Sequence, residues 1–503
     1  MRLSELVQGL PVLWAQGDAE ISGIGVDSRQ MQAGDLFVAI VGRTHDGHQF
    51  IKDAIARGAA AILVQGNPTR SSLSAWGEGV QALYAVPNTR DALWRIAQRF
   101  YGDPSRTLLT IGVTGTNGKT TTTHMLQKIL VAWGTPTLIV GTLGAWIDYP
   151  DGTRLALVPE GEFTTPEVYQ LQSLLKTARE RGAGAVVMEV SSHALDQQRV
   201  DGIHFDAAVF TNLTQDHLDY HGTMEAYAAA KLRLFTELAE QSEKPFKAII
   251  NIDDEWGKQF AAKARGTVYT YGLSECAQVR ATRVEYGLDG LKFEIRYQWT
   301  ECAIAIPLIA PYNLYNALAA VATALALGAP MDAIQHGLAG LEQVAGRFQR
   351  VPIDADYEVI VDFAHTPDAL QRVLQAGRML NPTRLTVLFG CGGDRDATKR
   401  PLMGKLAAEL ADRVILTSDN PRTEDPHAIL EQILAGVPVP LRPKVERVEV
   451  DRRRAIEYAL QTAQAGELIL LAGKGHEPYQ IIGTEKVPFS DIEVAKEVAG
   501  AKR

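Results

Sequence analysis

The sequence predicts an α/β protein of three domains built largely on parallel sheets. Three observations carry this reading. The chain has 503 residues, about three times the roughly 150 that a domain averages. Short apolar runs alternate with helical segments, as in a doubly wound parallel sheet. That alternation is interrupted once, between about 265 and 310. A composition of 46% apolar and 22% charged residues is ordinary globular usage, which excludes a disordered tail protein, a collagen-like rod and a disulfide mini-protein.

The first unit, residues 1–105, is a small α/β domain. Its strand candidates are Asp35–Ile40 and Ala59–Val64, with a short helix over Phe50–Arg57 between them. The turn-rich Tyr101-Gly102-Asp103-Pro104-Ser105 makes the linker.

The second unit, residues 106–345, opens with the apolar strand Leu108–Val113 and a Gly-containing loop. A helix follows over Lys119–Trp133, with Met125, Ile129 and Leu130 near one face. Ala185–Val190, Ala207–Thr211 and Lys247–Ile252 read as further buried strands, and Thr223–Leu238 as a helical stretch between two of them. In the interruption, Val279–Tyr286 and Leu291–Trp299 read as antiparallel β. Helices Asn313–Leu327 and Met331–Leu341 close the unit.

Gly346-Arg347-Phe348 leads into the third unit, residues 346–503. Val359–Phe363, Leu385–Phe389, Arg413–Thr417 and Leu468–Ala472 read as its strands, again of a parallel α/β sheet.

Charge and cysteines narrow the function classes. Fifty Lys and Arg against 59 Asp and Glu leave a net charge of −9, a poor match for non-specific nucleic-acid binding. Cys276, Cys302 and Cys391 are far apart and form no CxxC pair, against a disulfide framework or thiolate zinc and for a reducing compartment. The first residues hold no signal-peptide run, and the most apolar helix candidate, Ala317–Leu327, is too short to span a bilayer. A cytoplasmic protein without membrane insertion is expected.

The sharpest local signal is Thr114-Gly115-Thr116-Asn117-Gly118-Lys119-Thr120-Thr121, which follows a strand and opens a helix. Glycines let backbone N–H groups approach a polyphosphate, Lys119 suits its β/γ-phosphates, and the Thr120 hydroxyl suits Mg²⁺. The strict G-x-x-x-x-G-K-[ST] spacing is not met, because Val113 stands where its first glycine would fall. Glu189 and His217 end the neighbouring strands, where ligands of open α/β sheets bind. Taken alone, each also reads as a capping or solvated residue. By composition alone, Lys231 is a helix-surface lysine. Four strand ends of the third unit carry Asp362-Phe363-Ala364-His365, Gly392-Gly393-Asp394-Arg395, Asp419-Asn420-Pro421-Arg422 and Gly473-Lys474-Gly475-His476-Glu477. They read either as ordinary strand–helix turns or as a site for a small zwitterionic or anionic substrate, since an Arg offers a planar fork to a carboxylate.

Together these motifs, with Asn313-x-x-Asn316 and Gly346-Arg347, resemble the Mur ligase family over essentially the whole chain. The string Asp419-Asn420-Pro421-Arg422 resembles that of members adding meso-diaminopimelate rather than L-lysine. The resemblance implies a UDP-substrate-binding domain, a central P-loop ATPase domain with a parallel sheet plus a small antiparallel sheet, and a C-terminal Rossmann-like α/β domain that brings the amino acid. It implies an ATP-dependent amide ligase that works through an acyl phosphate on UDP-N-acetylmuramoyl-L-alanyl-D-glutamate, in cytoplasmic peptidoglycan precursor synthesis. A monomer is expected.

Residue by residue, the resemblance implies ATP contacts at Gly115 to Thr121, Asn313, Asn316, Arg347 and Asp362. It implies Mg²⁺ on Thr120 and Glu189, a second Mg²⁺ near His217, and a CO₂-derived carbamate on Lys231 as a further oxygen ligand. Val26, Ser28, Arg43, Thr44 and His45 match the uridine-diphosphate positions. Thr164, Thr165, Ser191, Gln197 and Arg199 match the muramoyl-peptide positions, with Phe163 where some relatives have Asn. Arg395, Asp419, Asn420, Pro421, Arg422, Gly473 and Glu477 match the diaminopimelate pocket. For Arg347 to reach phosphates, the third domain must swing inward.

Overall fold

The computed structural model describes residues 1–42, 45–69, 76, 79–159, 164–287, 290–298, 300–341 and 343–501. Three sheets, spanning residues 14–86, 109–306 and 349–472, organise them, and a separate two-stranded hairpin lies near the C-terminus.

The first sheet orders Trp14–Gly17, Ala82–Val86, Ala61–Gln65, Asp35–Val38 and Gly23–Gly25, with only the first strand antiparallel to its neighbour. The expected strands and the short helix Ile51–Ala56 are present.

The central sheet has eleven strands. Its parallel middle runs Thr267–Gly272, Lys247–Asn251, Ala207–Phe210, Leu109–Thr114, Ala185–Glu189 and Thr137–Gly141. The expected antiparallel segments form a meander of Val279–Gly287, Gly290–Tyr297 and Thr300–Ile306, joined to the parallel middle by a short parallel pairing at Tyr271 and Gly272. A second antiparallel pair, Gly144–Asp148 and Arg154–Val158, extends the other edge. Sequence patterning did not mark that pair, because Arg154–Val158 alternates half-buried and exposed residues at a sheet margin.

Helices Lys119–Ala132, Asn313–Leu327 and Met331–Ala339 pack one face of this sheet, and the buried Met125, Ile129 and Leu130 belong to that core. The Ala-rich composition of Asn313–Leu327 lets it bury almost completely, since small side chains admit close helix approach. The stretch Thr223–Leu238, expected as one helix, is broken. Met224–Leu232 is helical, Arg233–Phe235 is a 3₁₀ turn, and Thr236 departs from helical geometry at φ −120°. The break accompanies full burial of Leu234 and Phe235 in the core of the opposite face and pairing of Arg233 with Asp201.

The third sheet orders Gln349–Arg350, Glu358–Asp362, Glu467–Ala472, Arg384–Phe389, Arg413–Thr417 and Val445–Glu449, parallel except for the first strand. In both larger sheets the loops at the carboxyl ends of central strands carry the motif residues.

Candidate active site between the central and C-terminal sheets

The loop between strand Leu109–Thr114 and helix Lys119–Ala132 is pinned to the adjacent strand end. Thr211 Oγ1 and Asn212 Nδ2 donate to the Asn117 carbonyl at 2.7 and 3.1 Å, and Asn117 N donates to Asn212 Oδ1 at 3.0 Å. Gly118 has φ 87°, and a Cβ there would strike Asn316. Only glycine meets both conditions without strain. Lys119 Nζ folds back over the loop and donates to the carbonyls of Gly115 and Thr116 at 2.9 and 2.8 Å. Its burial pulls the ammonium below its ordinary pKa, while the charges of Glu189 and Asp216 resist.

Glu189 is buried, and each carboxylate oxygen lies 3.0 Å from Thr120 Oγ1. Thr142 N donates to the same carboxylate at 2.9 Å. Arg347, from the C-terminal unit, donates to Thr120 Oγ1 at 3.3 Å while its guanidinium sits 5.0 Å from the Phe363 ring centroid. The third unit is therefore closed over the phosphate loop. Asp368 is a second tie, accepting from Asn117 Nδ2 at 3.0 Å and Thr214 Oγ1 at 3.1 Å.

His217 lines the same cavity. It holds φ 53°, lies 3.5 Å from Asp216 and stands edge-on to His193 at 4.7 Å. Burial pulls its imidazole down to about 4, against the pull of Asp216. Among the described residues, no three His, Cys, Asp or Glu side chains form a metal cluster on their own. The oxygen donors here, Thr120 with Glu189 and separately Asp216, suit a hard divalent cation that keeps waters or phosphate oxygens as its other ligands.

Lys231 is buried, not on the surface of its helix. Its Nζ donates to the Gly115 carbonyl at 3.0 Å from beneath the loop and lies 4.7 Å from the Tyr227 ring centroid. Burial, and then the Lys119 charge, drive its amine well below the ordinary lysine pKa. It does not line the cavity.

Asn316 lines the cavity, and Asn313, behind it, accepts from Asn316 Nδ2 at 3.0 Å. Asp362 accepts from Phe348 N at 2.6 Å and Ala364 N at 2.8 Å, so its carboxylate anchors the turn that carries Arg347. Burial pushes it up to about 6.

The third-unit motifs converge on the same space. Asn420 Nδ2 donates to Glu477 at 3.0 Å, and the fully buried Lys474 donates to Asn420 Oδ1 at 3.1 Å and Glu477 at 2.9 Å. A Cβ on Gly473 would sit 3.0 Å from Asp419 Oδ2. Arg422 Nη1 donates to the Gly393 carbonyl at 2.8 Å. Burial and then Arg395 lower the Arg422 pKa, and an anion between the two guanidiniums would relieve that repulsion. Arg395, Arg422 and Glu477 share one cavity of about 850 Å³ with Gly118 to Thr121, Thr164, Glu189 and His217.

Beside that cavity, Arg199 Nη1 donates to the Thr165 carbonyl at 3.1 Å, and Arg199 Nη2 to Gln197 Oε1 at 2.7 Å. Thr165 Oγ1 accepts from Ser191 N at 3.2 Å and donates to the Glu189 carbonyl at 2.9 Å. Arg90, from the N-terminal unit, donates to the Gln197 carbonyl at 3.0 Å. A second cavity of about 550 Å³ lies there, lined by Val41, Asn88, Arg90 and Arg233 among others. Val26, Ser28 and His45 line neither cavity. Arg43, Thr44 and Phe163 lie outside the described residues.

The cavity also includes Thr142, Asp253, Tyr312, Tyr315, Arg372, Tyr479 and Lys486. None of these belongs to a motif, so sequence reasoning missed them. His365 and Lys474 lie inside the strand-end motifs and Asp216 directly precedes His217, and those positions were a usable signal.

Comparison with known proteins gives a consistent picture. Residues 20–101 match the family described as Mur ligase family, catalytic domain, residues 113–324 the Mur ligase middle domain, and residues 346–475 the Mur ligase, glutamate ligase domain. The UDP-N-acetylmuramoyl-L-alanyl-D-glutamate–2,6-diaminopimelate ligase of Syntrophomonas wolfei is 44% identical over 508 residues, covering 100% of both chains. That of Synechococcus elongatus is 48% identical over 95% of this chain and 94% of its own. A solved structure of a ligase with the same name superposes with a TM-score of 0.65 at 34% identity, over 96% of this chain and 95% of that one. Folylpolyglutamate synthase of Mycobacterium tuberculosis, solved with ADP and AMPPCP, shares the fold at a TM-score of 0.62 and 18% identity, over 81% of this chain and 93% of that one.

Proposed function

Since the chain belongs to the Mur ligase family, we propose that it is the ATP-dependent ligase joining meso-2,6-diaminopimelate to UDP-N-acetylmuramoyl-L-alanyl-D-glutamate in peptidoglycan precursor synthesis. The observation that carries this reading is the shared cavity, in which a phosphate loop with Glu189 faces a pair of guanidiniums, Arg395 and Arg422.

The D-glutamate carboxylate attacks the ATP γ-phosphate to give an acyl phosphate and ADP. The diaminopimelate amine then attacks that carbonyl and expels phosphate. The first step brings two anions together, so it depends on neutralisation and positioning. Lys119 and Arg347 supply positive charge at the phosphates, and closure of the C-terminal unit brings Arg347 to Thr120. Thr120 and Glu189 would hold Mg²⁺, with His217 near a second ion, and the metal would add further neutralisation when bound.

We assign a CO₂-derived carbamate to Lys231. Its burial favours the neutral amine that such an adduct requires. Thr164, Thr165, Ser191, Gln197 and Arg199 take the muramoyl peptide. Val26, Ser28 and residues 43–45 take the uridine diphosphate. Arg422, half-buried, and Arg395 take the distal carboxylate of diaminopimelate, which lysine lacks; without that anion the two guanidiniums keep repelling each other, which disfavours lysine.

We set the domain limits at 1–105, 106–345 and 346–503, in keeping with one main sheet in each part. We read the chain as a monomer. Its nucleotide substrates favour a cytoplasmic place of work. No helix of the described residues is long and apolar enough to cross a membrane.

The test is phosphate release from ATP with the muramoyl-dipeptide nucleotide, comparing meso-diaminopimelate with L-lysine. Release with diaminopimelate alone is expected. Equal release with both would remove Arg422 as the selector, and release with neither would end the ligase reading.

A further inference from the structure

Residues 479–488 alternate side chains about a turn at Gly483-Thr484, and Gly483 takes the φ of 61° that a two-residue hairpin turn demands. The strands Tyr479–Ile482 and Glu485–Pro488 pair with Ile481 opposite Lys486 and Ile482 opposite Glu485. With a period of two, one face of the hairpin carries Tyr479, Ile481 and Lys486, and all three line the large cavity. Gln480 faces the other way, 9% exposed, and its Nε2 donates to the Asp419 carbonyl at 2.7 Å.

The hairpin also grips the rest of the 419–422 segment. Ile481 N donates to Asn420 Oδ1 at 3.0 Å. Arg422 N donates to the Ile481 carbonyl at 3.0 Å, and Gly483 N to the Arg422 carbonyl at 2.8 Å. Arg422 is held at φ 52°, in the left-handed region that residues with a Cβ seldom adopt. A conformation of that kind persists when its surroundings over-determine it, and the hairpin supplies those surroundings. The fork of an arginine recognises a carboxylate only in a narrow geometry, so the backbone beneath it governs what it selects.

We infer that the hairpin Tyr479–Pro488 is a second specificity element of the amino-acid pocket, with Gln480 a positioning residue that fixes Asp419 to Arg422 for a diacid substrate. This rests on the ligase reading above. Gln480 touches the 419–422 segment and acts through it.

The test uses the full chain with Gln480→Ala and Gln480→Met; the latter keeps the side-chain length and removes the donor without placing a charge against the Asp419 carbonyl. Initial rates of phosphate release are measured against ATP, the muramoyl-dipeptide nucleotide, and either meso-diaminopimelate or L-lysine. Losing this hydrogen bond should raise KM for diaminopimelate about tenfold and lower the diaminopimelate-over-lysine preference alike. KM for ATP and the melting temperature should stay close to those of the unaltered protein. An unchanged diaminopimelate KM, or equal movement of all substrate constants, would overturn the inference while the ligase reading stood. No release by the unaltered protein would overturn both.

Discussion

Arg347 Nη2 donates to Thr120 Oγ1 at 3.3 Å across 227 positions of sequence. The C-terminal unit thereby touches the first turn of the phosphate-loop helix, and the same hydroxyl donates to Glu189. Arg347→Ala should lower kcat by about 10²-fold, because a preorganised cation facing developing charge is lost. Thermal unfolding should shift by only a few degrees, since the side chain's contacts, the hydrogen bond to Thr120 and the stacking on Phe363, lie at the cavity wall. A kcat within a few-fold of the unaltered protein would take Arg347 out of the chemistry.

Lys119 is the loop's own cation, held over the carbonyls of Gly115 and Thr116. Lys119→Ala should reduce ATP-dependent ligation by about 10³-fold, as phosphoryl transfer rests on such neutralisation. Single-turnover phosphate release checks this, and near-normal turnover would remove the phosphate-loop assignment.

Lys231 offers a chemical rescue. Lys231→Ala should lose activity by about 10²-fold or more if an anionic ligand is withdrawn. Formate or acetate added in the millimolar range should restore part of it. Absence of rescue in a folded variant would argue against the carbamate.

Asp362 sets a pH dependence. Burial lifts its carboxyl from 3.8 to about 6 in the fold. Between those values the folded chain keeps a proton that the unfolded chain releases. The group's contribution to stability is therefore greatest below 3.8 and falls by up to about 3 kcal/mol as pH rises towards 6. Activity should run the other way. The ionised carboxylate accepts more strongly from Phe348 N and Ala364 N, and so holds the Arg347 turn more firmly, than the neutral acid does; kcat should therefore decline as pH drops below about 6. Asp362→Asn should lower the plateau and flatten that acid limb. Matching limbs in both proteins would assign the titration to another group.

Arg422→Lys should erode the preference for diaminopimelate over lysine by about tenfold or more, because an ammonium is not a planar fork. Competition between the two amino acids in one assay measures this directly. An unchanged ratio would move selection to other residues of the pocket.

Most of the central scaffold was legible in the sequence. Leu109–Thr114, Ala185–Glu189, Ala207–Phe210 and Lys247–Asn251 are mostly apolar and almost wholly buried, because strands buried on both faces carry no alternation to blur them. The edge pair Gly144–Asp148 and Arg154–Val158 was not legible; the outer strand buries no residue fully and alternates only exposed with half-buried positions. Thr223–Leu238 looked like one helix because local propensity cannot register that Phe235 must turn into the core.

Motif residues at strand ends, Lys119, Glu189, His217, Asp362 and Arg422, could be named from sequence because strand-to-helix turns leave their own local signature. Tertiary structure alone decided the rest. It buried Lys231 beneath the loop, set Arg347 against Thr120, and laid the hairpin carrying Gln480 along Asp419 to Arg422. These relationships join residues tens to hundreds of positions apart. Propensity and periodicity act within a few residues, whereas such contacts form only once whole sheets have packed and brought their carboxyl ends face to face.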